Sequence, residues 1–362
     1  MITLLIILII IGIILETISL KRDPDEVEVY GLLSTRVSEP GDTFDLQTTV
    51  TNKSLIPISY LAVREVLPAA SVLPDGIVYR SKLSGSYTKK ICRLRGRQRK
   101  TLIMETSINK RGVHIFSGDY VDFGDFLGFR EISRDVTYEQ EIVVYPEKLV
   151  SQRLANTLAK FTGDVNAKRH LIRDPIITVG CREYTGREPM KEIHWTKSAQ
   201  RNELVVREFD YNRQISVSVI LNVEGINLHD EEGLDECCAI ARTVCESLVG
   251  TGATIRFFTN SLLKRKSNRT VWQCRVSSGH TGELLEGLGR VTAYFNNPLD
   301  KLLDFSLRES DFDSAFIVIM HPDDIRGNDA IHRLRSNTGG EALLVQSTRI
   351  NEGEKRKEEQ SD

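Results

Sequence analysis

The hydrophobic pattern of the chain opens with an almost unbroken apolar run. Twelve Ile or Leu residues lie between Ile2 and Leu15, and each favours a bilayer by about 0.5 kcal/mol on the insertion scale. About 20 such residues cross a hydrocarbon core of about 30 Å. The pattern therefore predicts a transmembrane anchor over residues 1–22. A secretory signal is disfavoured, because no positive charge precedes the run and no small-residue cleavage site follows it.

The charges beside this run predict an orientation. Lys21 and Arg22 follow the apolar residues directly, and positive charge favours the cytoplasmic side. The expectation is a single-pass protein of the cell membrane, held there through its N-terminal helix, with the bulk of the chain in the cytoplasm.

Short strand patterns dominate residues 23–148. In "TFDLQTTVTN" the residues Phe44, Leu46, Thr48 and Val50 alternate with others and would share one face. The stretches "PISYLAVREVLP" and "KTLIMETSINKRG" show similar strand patterns, and no long helical stripe interrupts them. This region predicts a small all-β, sandwich-like domain.

A basic run lies within that region, in "KKICRLRGRQRK". Arg93, Arg95, Arg97 and Arg99 would share one strand face at a period of two. They predict either a solvated edge that resists aggregation or a lipid-facing basic patch that attracts anionic headgroups. Nucleic acid is disfavoured, because no aromatic residues are interleaved with the charges.

The second half of the chain changes to alternating strands and helices. Residues 149–212 are predicted to form a connector, after which "ISVSVILNV", "ATIRFFTN", "SAFIVIM" and "EALLVQS" have the composition of buried strands. Helical patterns between some of these strands predict a doubly wound α/β domain over residues 213–350. Residues 351–362 contain no apolar side chain and are predicted to be a disordered tail.

Composition excludes several functions and points to none. The net charge of the 362 residues is −2, so no overall field attracts nucleic acid. The six cysteines form no C-x-x-C pair. The chain has no G-x-S-x-G elbow, no phosphate-binding G-x-x-x-x-G-K-[ST] loop and no G-x-G-x-x-G turn after a strand. We therefore predict no catalytic residue, no metal site, no cofactor and no small-molecule substrate.

A mixed polar segment before the α/β region carries a family resemblance. The stretch "REYTGREPMKEIHWTKSAQRNELVVREF", residues 182–209 and hereafter the signature segment, resembles the signature of the domain-of-unknown-function 58 family. Arg187-Glu188, Lys191 and Gln200 differ from that pattern. The matching residues are Arg182, Glu183, Tyr184, Ile193, His194, Trp195, Ser198, Ala199, Leu204, Val206, Arg207, Glu208 and Phe209.

The resemblance implies a complete architecture. It is that of an α+β multidomain protein with an N-terminal transmembrane helix, a small β-sandwich-like domain and a C-terminal doubly wound α/β, von Willebrand A-like domain. Von Willebrand A domains hold magnesium with Asp-x-Ser-x-Ser, whereas this chain has Asn222, Glu224 and Ile226, which argues against such a site. Asp323 and Asp324 are expected instead to cap the following helix.

The resemblance also implies a partner and a function. Proteins of this family are frequently paired with MoxR-type AAA+ ATPases, and no enzymatic activity is established for them. A membrane-anchored, non-enzymatic adaptor or assembly factor acting with such an ATPase is therefore expected. One alternative is a hydrolase or ligand-binding enzyme that uses Glu183, His194 and Ser198, and another is a structural envelope protein.

The signature segment is the expected functional site. Its charged side chains are expected to form alternating ion pairs, and Trp195 and Tyr184 could anchor a partner. The same segment could instead brace the two domains against each other. The predicted residues of this partner-docking or structural motif are Arg182, Glu183, Tyr184, Glu188, Lys191, His194, Trp195, Ser198, Arg207, Glu208 and Phe209.

Overall fold

The computed structural model describes residues 6–7, 10–14, 16–17, 24–73, 79–81, 85–124, 131–171, 178–186, 188–209, 215–266, 270–311, 314–338 and 341–346. The chain divides into two compact units. The first contains Met1–Glu147 and Leu285–Val291, and the second contains Lys148–Leu284 and Thr292–Asp362. The predicted disordered tail, residues 351–362, lies outside the described residues.

Two β-sheets build the first unit. One sheet has four strands in the order β1-β3-β8-β5, and the other has six in the order β2-β10-β9-β4-β7-β6. The pairing is antiparallel apart from the β2–β10 pair. The strands are β1 (Val27–Leu33), β2 (Val37–Ser38), β3 (Thr43–Asn52), β4 (Ile58–Leu67), β5 (Ser71–Val72), β6 (Tyr79–Ser81), β7 (Gly85–Leu94), β8 (Arg99–Ile108), β9 (Gly112–Gly124) and β10 (Glu131–Val144).

Side chains from both sheets share the core of this unit. In one cluster Leu46 of β3 packs with Phe116 of β9 and Ile142 of β10, and in another Val50 of β3 packs with Leu61 of β4. The alternation predicted for β3 is confirmed, since every second residue from Phe44 to Asn52 is buried. The strand pleat produces this pattern, because successive side chains point to opposite faces.

The basic run does not follow a single strand as predicted. Arg93 lies in β7, Arg99 opens β8, and Arg95 and Arg97 lie in the link between these two strands. Gly96 gives the physical reason, because a turn at this glycine ends β7 and moves the chain into the other sheet. The four side chains are all exposed, but the prediction that they share one strand face is wrong.

The second unit combines helices with a five-stranded sheet in the order β16-β14-β13-β18-β19. Two small pairs accompany it, β11 with β12 and β15 with β17. The helices of the second half of the chain are α1 (Gln152–Leu171), α2 (Trp195–Arg201), α3 (Glu231–Gly250), α4 (Gly282–Arg290), α5 (Leu299–Glu309) and α6 (Gly327–Thr338). Its strands are β11 (Thr178–Glu183), β12 (Val205–Phe209), β13 (Ser216–Leu221), β14 (Thr254–Thr259), β15 (Ser261–Leu263), β16 (Trp272–Val276), β17 (Val291–Phe295), β18 (Ala315–Met320) and β19 (Ala342–Gln346).

The fold class predicted from the sequence is wrong. Strands β13, β14, β18 and β19 lie where the apolar runs predicted them, but no regular doubly wound, von Willebrand A-like alternation results. After β14 the chain forms β15, the antiparallel edge strand β16, α4 and β17 before it reaches α5 and β18. This insertion and its antiparallel pairing break the strand–helix repeat that a doubly wound sheet requires. Strands outweigh helices in the described chain.

The predicted transmembrane anchor over residues 1–22 is also contradicted. Within the described ranges, no helix combines the length and the apolar character needed to cross a membrane. Helices α1 and α3 reach 20 residues each, but Arg, Lys, Asp or Glu side chains interrupt them, and charge within a span is costly. The single-pass location in the cell membrane, which depended on this anchor, is withdrawn with it.

Candidate functional site

The signature segment folds around an antiparallel pair of strands in the second unit. Strand β11 pairs with β12, so that Arg182 lies opposite Val206 and Glu183 lies opposite Val205. A one-turn helix, Met190–Glu192, and α2 lie between the two strands. Ile193 forms a bridge to Val206, and both side chains are buried. The segment therefore has a small core of its own, which fixes the positions of its polar residues.

Ser198 is used to hold this fold together. Its side chain is 7% exposed, and its hydroxyl oxygen accepts a hydrogen bond from the Val205 N–H at 2.9 Å. The same hydroxyl donates to the His194 carbonyl at 3.1 Å. The His194 N–H in turn donates to the Val205 carbonyl at 2.8 Å. These bonds tie the start of α2 to β12 and satisfy buried backbone groups that would otherwise be costly.

His194 precedes α2 and caps it. Its Nδ1 accepts a long hydrogen bond from the Lys197 N–H at 3.4 Å, which satisfies one of the free donors of the first turn. Asn202 ends the helix in the left-handed conformation, with φ of 54°, as asparagine tolerates. Both ends of α2 are thus defined by local side chains.

One ion pair fixes the turn after β11. Arg182 Nη1 lies 2.6 Å from Glu188 Oε1. Glu188 also accepts hydrogen bonds from the Thr185 N–H at 3.0 Å and the Thr185 hydroxyl at 2.8 Å. The Thr185 bonds, supported by Arg182, lower the pKa of Glu188 to about 2. Glu188 is therefore ionised at neutral pH and already engaged within the segment.

Three other charged side chains of the segment lie at the surface. Glu183, Lys191 and Arg207 are exposed, and within the described residues they form no ion pair. Of the predicted alternating ion pairs, the described residues show Arg182 with Glu188. Tyr184 is half-buried. The side chains of Glu208 and Phe209 lie outside the description, although their backbone belongs to β12.

Apolar side chains accompany these charges on the surface. Trp195, in the first turn of α2, is 59% exposed, and Met190 in the preceding one-turn helix is 68% exposed. Leu204, just before β12, is exposed as well. Tryptophan and methionine are enriched at protein interfaces. The segment thus presents an aromatic and a flexible apolar side chain from a backbone held by its own hydrogen bonds.

The geometry gives little support to the hydrolase alternative. A nucleophilic serine needs a base within hydrogen-bond reach, whereas the Ser198 hydroxyl is committed to the backbone of Val205 and His194. Three buried cysteines are no better candidates for a nucleophile. Burial raises the pKa of Cys92 and Cys245, and it raises that of Cys274 to about 12. A thiol with a raised pKa is a poor source of thiolate.

A second polar cluster lies at the carboxyl end of the parallel strands. The Asn222 amide donates to Asp324 Oδ2 at 3.0 Å, and the guanidinium of Arg326 reaches Asp324 and Glu224 at 2.9 Å each. Asn260 donates to Asn222 Oδ1 at 2.7 Å. The two carboxylates raise the pKa of Arg326. The guanidinium of Arg326 thus lies between Glu224 and Asp324, and both carboxylates are already paired within the protein.

The sequence pattern placed Asn260 at the carboxyl end of a predicted strand but did not single out Arg326. Arg326 lies two residues after Asp324, whose Oδ1 accepts a hydrogen bond from the Arg326 N–H at 3.1 Å just before α6 begins. Asp324 thus forms a local turn before α6 instead of the expected helix cap. The side chain of Asp323 is exposed. A polar residue directly after each buried strand was the available signal, since the carboxyl ends of parallel strands meet at one edge.

Comparisons with known proteins define no family for this chain. No family model matches it. The uncharacterised protein YeaD of Bacillus subtilis strain 168 is 20% identical over 213 residues, which are 59% of this chain, and the chain spans about half (50%) of that relative's length. This identity is too low and too partial to assign membership.

Solved structures overlap with about a third of the chain. A CARDB domain from Pyrococcus furiosus is 14% identical, with a TM-score of 0.21, over 33% of this chain and 89% of its own. A cohesin module of a Clostridium perfringens glycoside hydrolase is 11% identical, with a TM-score of 0.26, over 33% of this chain and 96% of its own. Alpha-2-macroglobulin of Escherichia coli is 20% identical, with a TM-score of 0.25, over 34% of this chain and 18% of its own. Overlaps at these scores do not define a fold.

Proposed function

We propose that this chain is a non-enzymatic adaptor or assembly factor that binds a partner protein through its signature segment. The observation that carries the proposal is the exposure of Trp195 on a helix that Ser198 ties to β12. A large aromatic side chain commonly supplies much of the binding energy of an interface. Since Ser198, His194 and Glu188 are engaged within the segment, Trp195 and its neighbours remain available to a partner.

The proposed partner is a MoxR-type AAA+ ATPase. This identity rests on the resemblance of residues 182–209 to the signature of the domain-of-unknown-function 58 family, whose members are frequently paired with such ATPases. The exposed charges of the segment fit this role. Glu183, Lys191 and Arg207 present both signs next to the apolar side chains, and charged residues around an apolar contact select among partners.

The proposal is tested by co-purification with the MoxR-type ATPase of the organism that makes this chain. The native chain should retain the ATPase, and Trp195→Ala should lose it while keeping its fold. Tyr294→Ala is the matched control, because Tyr294 is an exposed aromatic residue of the same unit outside the signature segment. Equal retention by all three proteins would reject the signature segment as the docking surface.

A further inference from the structure

Five cations surround the link between β7 and β8 in the first unit. Arg93 is the next-to-last residue of β7, Arg95 and Arg97 lie in the link, and Arg99 and Lys100 open β8. All five side chains are exposed, and within the described part of the chain none of them forms an ion pair. Together with Leu55, which lies beside the link, these residues are called the basic tip.

Buried hydrogen bonds hold the basic tip rigid. The side-chain amide of Asn52 donates to the carbonyls of Ile56 at 2.9 Å and Arg95 at 3.0 Å. The Asn52 N–H donates to the Gln98 carbonyl at 2.9 Å. Since Asn52 is fully buried, these bonds are shielded from water. They join the loop after β3 to the link between β7 and β8 as one body.

The link itself adopts an unusual backbone conformation. Arg97 has φ of 54°, in the left-handed region that favours glycine or asparagine. Its N–H donates to the Ser54 carbonyl at 2.8 Å, and a Cβ on the preceding Gly96 would collide with the Leu55 carbonyl. Strained residues of this kind persist where the surroundings hold them, and they are concentrated at functional sites. The chain thus places an arginine where a glycine would be less strained.

An apolar side chain stands among these cations. Leu55 is 73% exposed at the apex of its loop. The neighbouring Lys53 is paired with Glu28, which leaves that carboxylate less able to neutralise the arginines. An exposed leucine whose loop lies against a link that carries arginines has the composition of a peripheral contact with lipid, in which an apolar group enters the headgroup boundary and cations meet anionic headgroups.

We propose that the basic tip binds an anionic lipid surface. The arginine guanidinium groups match phosphate oxygens with paired donors, and Leu55 enters the boundary between headgroups and acyl chains. An acidic polypeptide would engage the charges but leave Leu55 without a role, and no aromatic residue lies among the cations to stack on a nucleic-acid base. This contact is peripheral, requires no spanning helix, and is independent of the signature segment.

The full chain is tested by co-sedimentation with vesicles of phosphatidylcholine, with and without about a third of phosphatidylglycerol. We expect binding only to the anionic vesicles, and weaker binding as salt rises. Arg95→Gln with Arg97→Gln should weaken it about 30-fold at low salt, or about fivefold for each charge. Leu55→Ser should weaken it roughly tenfold at every salt concentration, since its contribution is apolar.

Arg36→Gln with Lys110→Gln is the matched control. It makes the same change in net charge at two residues that follow the C-terminal ends of β1 and β8, whereas the basic tip lies at the N-terminal end of β8. Binding should stay within about twofold of the native chain. Equal binding to neutral vesicles, no binding at all, or equal losses in the control and tip variants would each overturn the proposal. If poly-glutamate competes and Leu55→Ser has no effect, the basic tip takes an acidic polypeptide and the lipid assignment is wrong.

Discussion

Glu65 and Asp119 face each other on neighbouring antiparallel strands in the core of the first unit. They are direct cross-strand partners between β4 and β9, and both are buried, with Glu65 fully inaccessible. Two carboxyl groups on directly paired residues repel each other when both are ionised. One oxygen of Asp119, Oδ2, is buried without a hydrogen-bond partner among the described residues. The pair therefore favours holding a proton.

Strands β3, β7 and β10 each contribute a polar group to the surroundings of the pair. Asp119 accepts a hydrogen bond from the Tyr138 hydroxyl of β10 at 2.9 Å. Glu65 accepts from Thr48 of β3 at 2.6 Å and Thr88 of β7 at 3.2 Å, and Lys90 of β7 lies 3.7 Å away. Burial raises the pKa of Asp119 to about 7 despite the bond from Tyr138, and the charge of Glu65 adds to the rise. Burial also raises the pKa of Glu65.

This pair predicts that the first unit loses stability as pH rises. The folded pKa of Asp119, about 7, lies above its ordinary value of 3.8, so the folded state binds the proton more tightly than the unfolded state. The contribution is complete below pH 3.8 and is lost as pH rises through 7. The slope between these values approaches about 1.4 kcal/mol per pH unit.

Asp119→Asn should remove most of this pH dependence, because an amide does not ionise. Denaturant unfolding is measured from pH 5 to pH 8, a range that includes the folded pKa of about 7. The free energy of unfolding of the variant should rise relative to that of the native chain at the alkaline end. Glu105→Gln, an exposed carboxyl on β8, should leave the native profile unchanged. Parallel profiles for native and Asp119→Asn proteins would show that Asp119 is ionised in the fold throughout.

Two glycine substitutions should have opposite effects on stability. A Cβ at Gly31 in β1 would overlap the ring of the buried Tyr138, so Gly31→Ala should destabilise the first unit by about 1–3 kcal/mol. Gly163 lies exposed in α1 with nothing within 4 Å of its Cβ position. Gly163→Ala should stabilise the second unit by about 0.5–1 kcal/mol, because alanine is the better helix former. Thermal unfolding of both variants measures the two signs. No loss of stability in Gly31→Ala would refute the packing at Gly31, and a loss in Gly163→Ala would refute the open position in α1.

Ser198→Ala should loosen the signature segment. Without the hydroxyl, the buried Val205 N–H loses the acceptor that now lies at 2.9 Å, which costs about 1–3 kcal/mol. Hydrogen exchange at the Val205 amide should accelerate. Thr196→Ala, an exposed position of the same helix, should leave that amide as protected as in the native chain. Unchanged exchange in Ser198→Ala would show that this hydrogen bond does not hold the segment.

Arg326→Met should destabilise the second unit by leaving Glu224 and the buried Asp324 without their cation. We expect about 2 kcal/mol, below the range for fully buried pairs because the guanidinium is partly exposed. Adding Glu224→Gln should recover part of the loss, since one uncompensated charge disappears. Arg333→Met is the control, because Arg333 also pairs with two carboxylates, but those of Asp300 and Asp304 are exposed to solvent. Equal losses in urea unfolding for the two arginine variants would contradict the assigned network.

Local patterns predicted those parts of the fold that depend on local alternation. The period of two in β3 identified its buried face, and it extends to Asn52, whose amide supports the basic tip. The same rule, applied to β4, places Glu65 in phase with the buried Val63 and Leu67, so a buried carboxyl was visible in the sequence. The rule does not hold from Arg93 to Arg99, because the chain turns at Gly96 and leaves the strand.

Long-range pairing accounts for the larger errors. The composition of β16 shows a strand but not its direction, and its antiparallel pairing with β14 is set by residues distant in sequence. The apolar composition at the N-terminus predicted a spanning helix, and the described residues contain none. In the signature segment, residue types predicted a site but not which side chains face inward. Ser198 faces inward because the Val205 N–H lies opposite it, and Trp195 is left outside.

We predict that Trp195 of the signature segment contacts a MoxR-type ATPase directly. Calorimetric titration of the purified full chain with the purified ATPase of the same organism tests it. We predict measurable binding that Trp195→Ala weakens by about 30-fold or more, as expected for a central aromatic contact. Tyr294→Ala should bind as the native chain does. Absence of binding by the native chain, or equal affinity for the native chain and Trp195→Ala, would contradict the account.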